Sequence, residues 1–368
     1  MIRVAVALAL FAIPARADTD LGNEYVVFAR GNALLKSDAK GKSETQIATL
    51  PAKATVRALR TDAAGKVLLA DINGTWSWLP LDGSSKTLTE LPCDPGPAQI
   101  AEDALCVLCR SKKGDGGAII VNLATGKQTP AAVPPATRIA GTGADRKLIW
   151  ADGDGVWTAS PASPKKKQQA VKEPPLRGFL PSPDGTHALG VYKSEVFEGN
   201  RGKATKPAEI LMVFGLDGNG ARRKVIKSGL PIEWSHDSQW VLVQDKNGAC
   251  IMMAHGGQYK CWRGYTAASI SPDGKYALVL GTRDKKADKP SKKSKKKRAK
   301  KAPAEEPSEM PEDDEHGDEE IPSDDVALAP PTGPLSLYRA QLEGAYTSSP
   351  AVVAKVVEGA AVWIPSKP

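Results

Sequence analysis

The 368-residue sequence predicts an all-β fold, a seven-bladed β-propeller closed by a C-terminal strand that joins the N-terminal blade. Three observations carry that prediction. A strand-turn-strand phrase recurs with the same punctuation, as GFLPSPDGTHALGV at 178–191, IEWSHDSQWVLV at 232–243 and ASISPDGKYALVL at 268–280. Aligned on Asp62, Asp103, Asp145, Asp184, Asp237 and Asp273, the turns are spaced by 41, 42, 39, 53 and 36 residues, near the period of about 40 expected of a propeller blade. The two ends are also complementary. Residues 24–50 supply second, third and fourth strands without a first, and 360–366 reads as a first strand without its sequel. Joining them closes the ring and removes the open edge that a split sheet would present.

The elements follow in order. Residues 1–17 read as a signal peptide: Arg3 is a short positive region, Val4 to Ile13 is apolar, and Ala15-Arg16-Ala17 is a small-x-small cleavage site. Residues 18–366 are expected to form one propeller domain, soluble and periplasmic or secreted. No later run reaches the roughly 20 apolar residues of a membrane helix. Six further units cover about 54–358, and in five of them a third strand ending in a Gly-rich turn can be read: TWSWLPLDG (75–83), AIIVNLATG (118–126), ILMVFGLDG (210–218), CIMMAHGG (250–257) and LSLYRAQLEG (335–344). Short apolar alternation with Gly at the turns suits antiparallel strands, and no part of the body has a helical period. The outlying spacing of 53 is explained by the segment 193–207, which lengthens one loop.

The sixth of these units is interrupted by a charged segment, 284–333. Residues 283–301 hold 12 Lys or Arg against 2 Asp, and 302–325 hold 12 Asp or Glu against no Lys or Arg. So polar a segment cannot bury enough apolar surface to fold and reads as a disordered polyampholyte loop between second and third strands. The loop nets −2 (plus 10, minus 12) and the leader arginines Arg3 and Arg16 net +2, so the formal +8 of the whole chain is also the charge of the propeller body. Second-to-third-strand loops leave a propeller on one rim. The candidate partner-binding loops are therefore 193–207, with Lys193, Arg201, Lys203 and Lys206, and the charged insert, with Lys292, Lys296 and Arg298. Nucleic acid is not the expected partner, because aromatics do not interleave the lysines and the acidic run competes with phosphate.

The phrases SPDG(K/T)xAL at 182–189 and 271–278, with SHDSQWVL at 235–242, resemble the WD40-like repeats of TolB-type bacterial propellers. The resemblance covers about 24–366 and leaves no room before it for the separate N-terminal domain of the TolB family. It implies architecture and brings no catalytic set. Pro and Asp build the turn and Gly supplies its positive dihedral, so Asp184, Asp237 and Asp273 read as structural.

Five cysteines are present. A hairpin centred on His255-Gly256 places Cys250 opposite Cys261, on one face and within bridging distance. Cys109, at the end of a returning second strand, approaches the entry loop that holds Cys93. Cys106 is left as a small buried apolar residue. Although Cys106 and Cys109 form a Cys-x-x-Cys, residues three apart on a strand face opposite ways, which argues against a shared metal.

No catalytic, cofactor or metal residue is nominated. His187 and His236 fall at turns, His255 in a hairpin turn and His316 in the acidic run, and no GxSxG or HExxH occurs. Asp-Gly-Asp-Gly at 152–155 suits a tight strand turn as well as a calcium loop, and EDDEHGDEE (312–320) lacks a rigid frame for a cation. The eight tryptophans, Trp76, Trp78, Trp150, Trp157, Trp234, Trp240, Trp262 and Trp363, fall mostly on strands as wedge-filling core. The expected function is a non-catalytic exported scaffold, a monomer binding a protein or cell-envelope component. The alternatives are a hydrolase or lyase with a central-channel site, and a charged-loop tether to anionic envelope polymers.

Overall fold

The computed structural model describes residues 24–96, 98–112, 117–131, 133–134, 136–194, 208–218, 224–227, 229–246, 248–254, 259–282, 335–342 and 350–365. The signal-peptide reading, most of the 193–207 loop and the charged insert lie outside them. Among the described residues the chain forms seven four-stranded antiparallel sheets and one short 3₁₀ turn, Gly143–Asp145.

Blade 1 is built from both ends of the chain. Ala361–Ile364 is its inner strand and pairs with Tyr25–Arg30, in the register Tyr25↔Ile364 to Phe28↔Ala361. Ala33–Asp38 and Glu44–Thr49 complete it. The other blades follow in chain order, and their inner strands are Val56–Thr61, Gln99–Ile100, Arg138–Ala140, Arg177–Pro181, Leu230–Trp234 and Thr266–Ile270. Each inner strand touches that of the next blade, and the seven contacts close a ring around a central channel.

Seven apolar clusters hold the ring, one in each wedge between neighbouring blades. A strand in this position is buried on both faces, which is why second strands such as Val67–Ile72 and Tyr276–Gly281 are buried along their whole length. The seam wedge packs Phe28 and Trp363 against Leu278 and Leu337. Trp76, Trp150, Trp234, Trp262 and Trp363 are buried, while Trp78, Trp157 and Trp240 are partly covered.

Disulfides join Cys93 to Cys109 and Cys250 to Cys261, the latter directly opposite in register. Cys106 is free and buried, in a different wedge from Cys109. Burial pushes its thiol pKa up, with the Arg146 guanidinium opposing. Asp152-Gly-Asp-Gly155 is a strand turn whose Asp152 carboxylate accepts from the Asp154 amide and the Trp157 indole.

The repeated phrase builds one turn at the same place in three blades. Ser182, Ser235 and Ser271 each pair by backbone with the residue five positions on, and each hydroxyl accepts that residue's amide at 2.9–3.0 Å while bonding the turn's aspartate. The amide three positions on closes the turn. In blade 2 the alignment shifts: Gly65 closes the turn onto Asp62, so Asp62 takes the place of the serine rather than of Asp184. Its carboxylate accepts the amides of Ala64, Lys66 and Val67, a carboxylate substitute for the hydroxyl.

Candidate functional site

The candidate site is the polar lining of the central channel. It starts from the repeated turn. The position after the serine is Pro183 in blade 5 and Pro272 in blade 7, whereas in blade 6 it is His236. In blade 3, Ala101 makes the serine's backbone bonds, to Cys106 and Ala104, so Glu102 holds the same position. His236 and Glu102 come from blades on opposite sides of the ring, and they meet: His236 Nδ1 lies 3.1 Å from Glu102 Oε2. The pair bars the mouth of the channel on the rim of the first-to-second-strand turns. Burial opposes charge on the imidazole, but the Glu102 hydrogen bond and charge outweigh it, helped by Glu233 and Asp62, and the His236 pKa is raised. His236 is thus no surface turn histidine, as its place in the sequence suggests, but half of a cross-channel hydrogen-bonded pair that becomes an ion pair when the imidazole is protonated.

Below this bar stand three charged residues on inner strands: Arg60 of blade 2, Arg138 of blade 4 and Glu233 of blade 6. Protein surrounds each of them, yet each keeps partial contact with solvent along the channel. Burial raises the Glu233 pKa, offset in part by the Ser269 hydroxyl, the Ile270 amide at 2.8 Å and the charges of His236 and Arg60. Burial lowers the pKa of Arg60, with Glu233 opposing. Arg138 is brought down to about 10, first by burial and then by the like charge of Arg60. A guanidinium is not deprotonated in proteins, so both arginines are cations.

Inner-strand polar side chains also tie blades together. Glu233 accepts from Ile270 of the next blade, Gln99 accepts from the Ile139 amide at 3.1 Å, and Ser269 accepts from the Trp363 amide at 3.3 Å. The blade 3 turn is further fastened to blade 4 by the Arg146–Asp103 ion pair. Among the described residues no group of three or more His, Cys, Asp or Glu is placed to hold a metal ion.

The residues nominated from the sequence lie elsewhere. Lys193 is exposed, one residue from the end of the second strand of blade 5 and opposite Glu209 in register. Arg201, Lys203, Lys206, Lys292, Lys296 and Arg298 fall outside the described residues, as do His255 and His316. Sequence reasoning missed Glu102, His236, Arg60, Arg138 and Glu233. The signal for the first two was present: charged residues stand where the repeat has Pro.

No family model matches the chain, and no curated protein matches it in sequence. Among solved structures it is similar to hydrazine synthase of Kuenenia stuttgartiensis, at 12% identity and TM-score 0.47, over 68% of this chain and 86% of that one. A putative TolB from Agrobacterium tumefaciens is similar at 10% identity and TM-score 0.45, over 92% of this chain and 91% of that one. TolB from Acinetobacter baumannii gives 12% identity and TM-score 0.44, over 64% of this chain and 62% of that one. TolB-type propellers thus stand among its structural neighbours, at distances that carry no functional argument.

Proposed function

We propose that this chain is an exported, non-catalytic propeller that binds a protein or cell-envelope component through one rim. The observation that carries the reading is the placement of its two long insertions. Ser194 pairs directly with Ala208, and Gly281 with Ser336, so in both blades the second strand ends and the third begins on the same rim of the ring. That rim is opposite the one barred by His236 and Glu102. Elaborated loops on a rigid scaffold are where binding concentrates. Two disulfides fit an oxidising compartment.

The test replaces 285–333 with a short Gly/Ser linker and, separately, changes Lys193, Arg201, Lys203 and Lys206 to Ser. So highly charged a segment has few apolar residues to contribute to a core, and its removal should leave the melting temperature level or slightly raised. Both variants should fold and lose partners that crosslink to the intact protein in the exporting cell. Retention of every partner by both variants rejects the rim as the binding face. Loss of binding to purified anionic envelope polymer on deleting 285–333 alone, with protein partners kept, favours the tether reading instead.

A second reading has one observation in its favour: His236, Glu102 and Glu233 gather titratable groups at the channel, as an acid–base site of a hydrolase or lyase requires. Turnover of an envelope substrate that Glu233→Gln abolishes in a folded protein would establish it.

A further inference from the structure

We propose that Arg60 and Arg138 form an anion-binding site in the central channel, taking a small molecule that bears a carboxylate or phosphate and enters from the rim opposite the His236–Glu102 bar. The first ground is position. Arg60, Arg138 and Glu233 come from blades 2, 4 and 6, none of which neighbours another, yet Arg60 acts electrostatically on both of the others. Side chains of non-adjacent blades share only the channel, and both arginines stand on inner strands that line it.

The second ground is their lack of partners. Arg30, Arg110, Arg146 and Arg177 each hold a carboxylate. Neither Arg60 nor Arg138 makes an ion pair or a hydrogen bond among the described residues, and Arg60 Nε is shut off from solvent with no acceptor. Glu233 does not serve them: its carboxylate is engaged by the Ile270 amide and the Ser269 hydroxyl, and no ion pair joins it to either arginine.

The third ground is energetic. A guanidinium taken out of bulk water without a hydrogen-bonded carboxylate destabilises the fold, and two that act on each other repel, a cost that the Glu233 charge offsets only in part for Arg60. An oxyanion between them removes both penalties, because the planar fork of each guanidinium matches a carboxylate or phosphate edge and can donate to it twice. The site is independent of the rim reading, since it is tested on the purified protein with no partner present.

The experiment titrates the purified protein with sodium phosphate and with sodium succinate, at constant ionic strength in chloride, by calorimetry and thermal unfolding. Saturable binding of at least one probe is expected, with a rise in melting temperature. Arg60→Gln and Arg138→Gln should each weaken binding by roughly tenfold or more, the loss of a charge-assisted hydrogen-bonded contact. Arg110→Gln, which removes a guanidinium outside the channel, should leave affinity unchanged. Without ligand, Arg138→Gln should melt no lower than the parent and release the repulsion from Arg60, a result that a merely structural arginine would not give. If either Gln variant fails to fold, Arg60→Lys and Arg138→Lys keep the charge, lose the fork and should still weaken binding. The tighter probe assigns the ligand as phosphate or carboxylate. Absence of saturable binding of both probes by the parent protein, or parental affinity in the Arg60 and Arg138 variants, overturns the proposal.

Discussion

The turns of blades 5 and 7 and those of blades 3 and 6 have the same backbone and different chemistry. In the first pair Pro183 and Pro272 fill the corner, and no side chain there reaches across the channel. In the second pair the corner holds Glu102 and His236, which reach across the channel to each other. The backbone bonds that close all four turns are the same, so the corner residue is free to vary without changing the fold. Where a repeat agrees with itself, its residues are there for architecture. Where it departs while keeping the turn, the departing side chain has another use.

The shared backbone is broken most severely at its glycine. Gly274 has φ +70°, and a Cβ there would lie 2.2 Å from Trp240 Cδ1 of the neighbouring blade, whereas Gly185, at φ +68°, would meet nothing closer than Ala140 Cβ at 3.5 Å. Both Ala substitutions meet the left-handed penalty of about 1 kcal/mol, and Gly274→Ala adds overpacking of about 1–3 kcal/mol against the indole. Chemical denaturation should rank Gly274→Ala well below Gly185→Ala. Equal losses would show that the dihedral alone matters.

A conforming turn also imposes electrostatics on its surroundings. Glu24 lies near Asp273, and its Oε2 is buried without a hydrogen-bond partner. Burial first and the Asp273 charge second push its pKa from 4.5 to about 7, against Lys275 and Arg339. The folded state holds this proton longer than the unfolded chain, so stability should fall as pH rises from about 4.5 to about 7 and stay level above. Glu24→Gln should remove that fall, gaining about 1–2 kcal/mol above pH 7 after allowance for partial exposure. Melting curves at acid and alkaline pH read it directly, and an unchanged pH slope would dismiss the assignment.

The smallest effect tests the comparison itself. His236→Pro turns the blade 6 corner into that of blades 5 and 7, and the ring should still fold. A raised imidazole pKa means that the bar stabilises fully below the ordinary histidine value and is lost as pH rises through the raised one. The variant should therefore fall short of the parent by about 1 kcal/mol at low pH and converge with it at high pH. A deficit independent of pH would mean that the turn, not the ion pair, had been damaged.

The architecture was legible because its signals are local and repeated. Ser, Pro, Asp and Gly at fixed offsets specify a turn by their own hydrogen bonds, and Ala361–Ile364 is apolar enough to be read as an orphan strand. The channel was not legible for two reasons. The inner strands of blades 3 and 4, Gln99–Ile100 and Arg138–Ala140, are too short to show a period. A single Arg or Glu in an inner strand also looks like an interruption of the apolar pattern until the ring brings blades 2, 4 and 6 face to face. Glu102 and His236 are separated by 134 residues, so only the repeat alignment, read for its exceptions, could have paired them.

The strand Ala361–Ile364 gives the ring a direction in time. Until it has been synthesised, Tyr25–Arg30 stands with one open edge, and Phe28 lacks Trp363 in its wedge. Bringing such distant segments together from an open coil would cost about 5 kcal/mol in loop entropy. Every blade that forms first shortens the slack that remains, so the seam closes readily only after the others have stacked. The most non-local strand pairing among the described residues is then also the one that completes the channel, and the proposed anion site requires that the two ends have met.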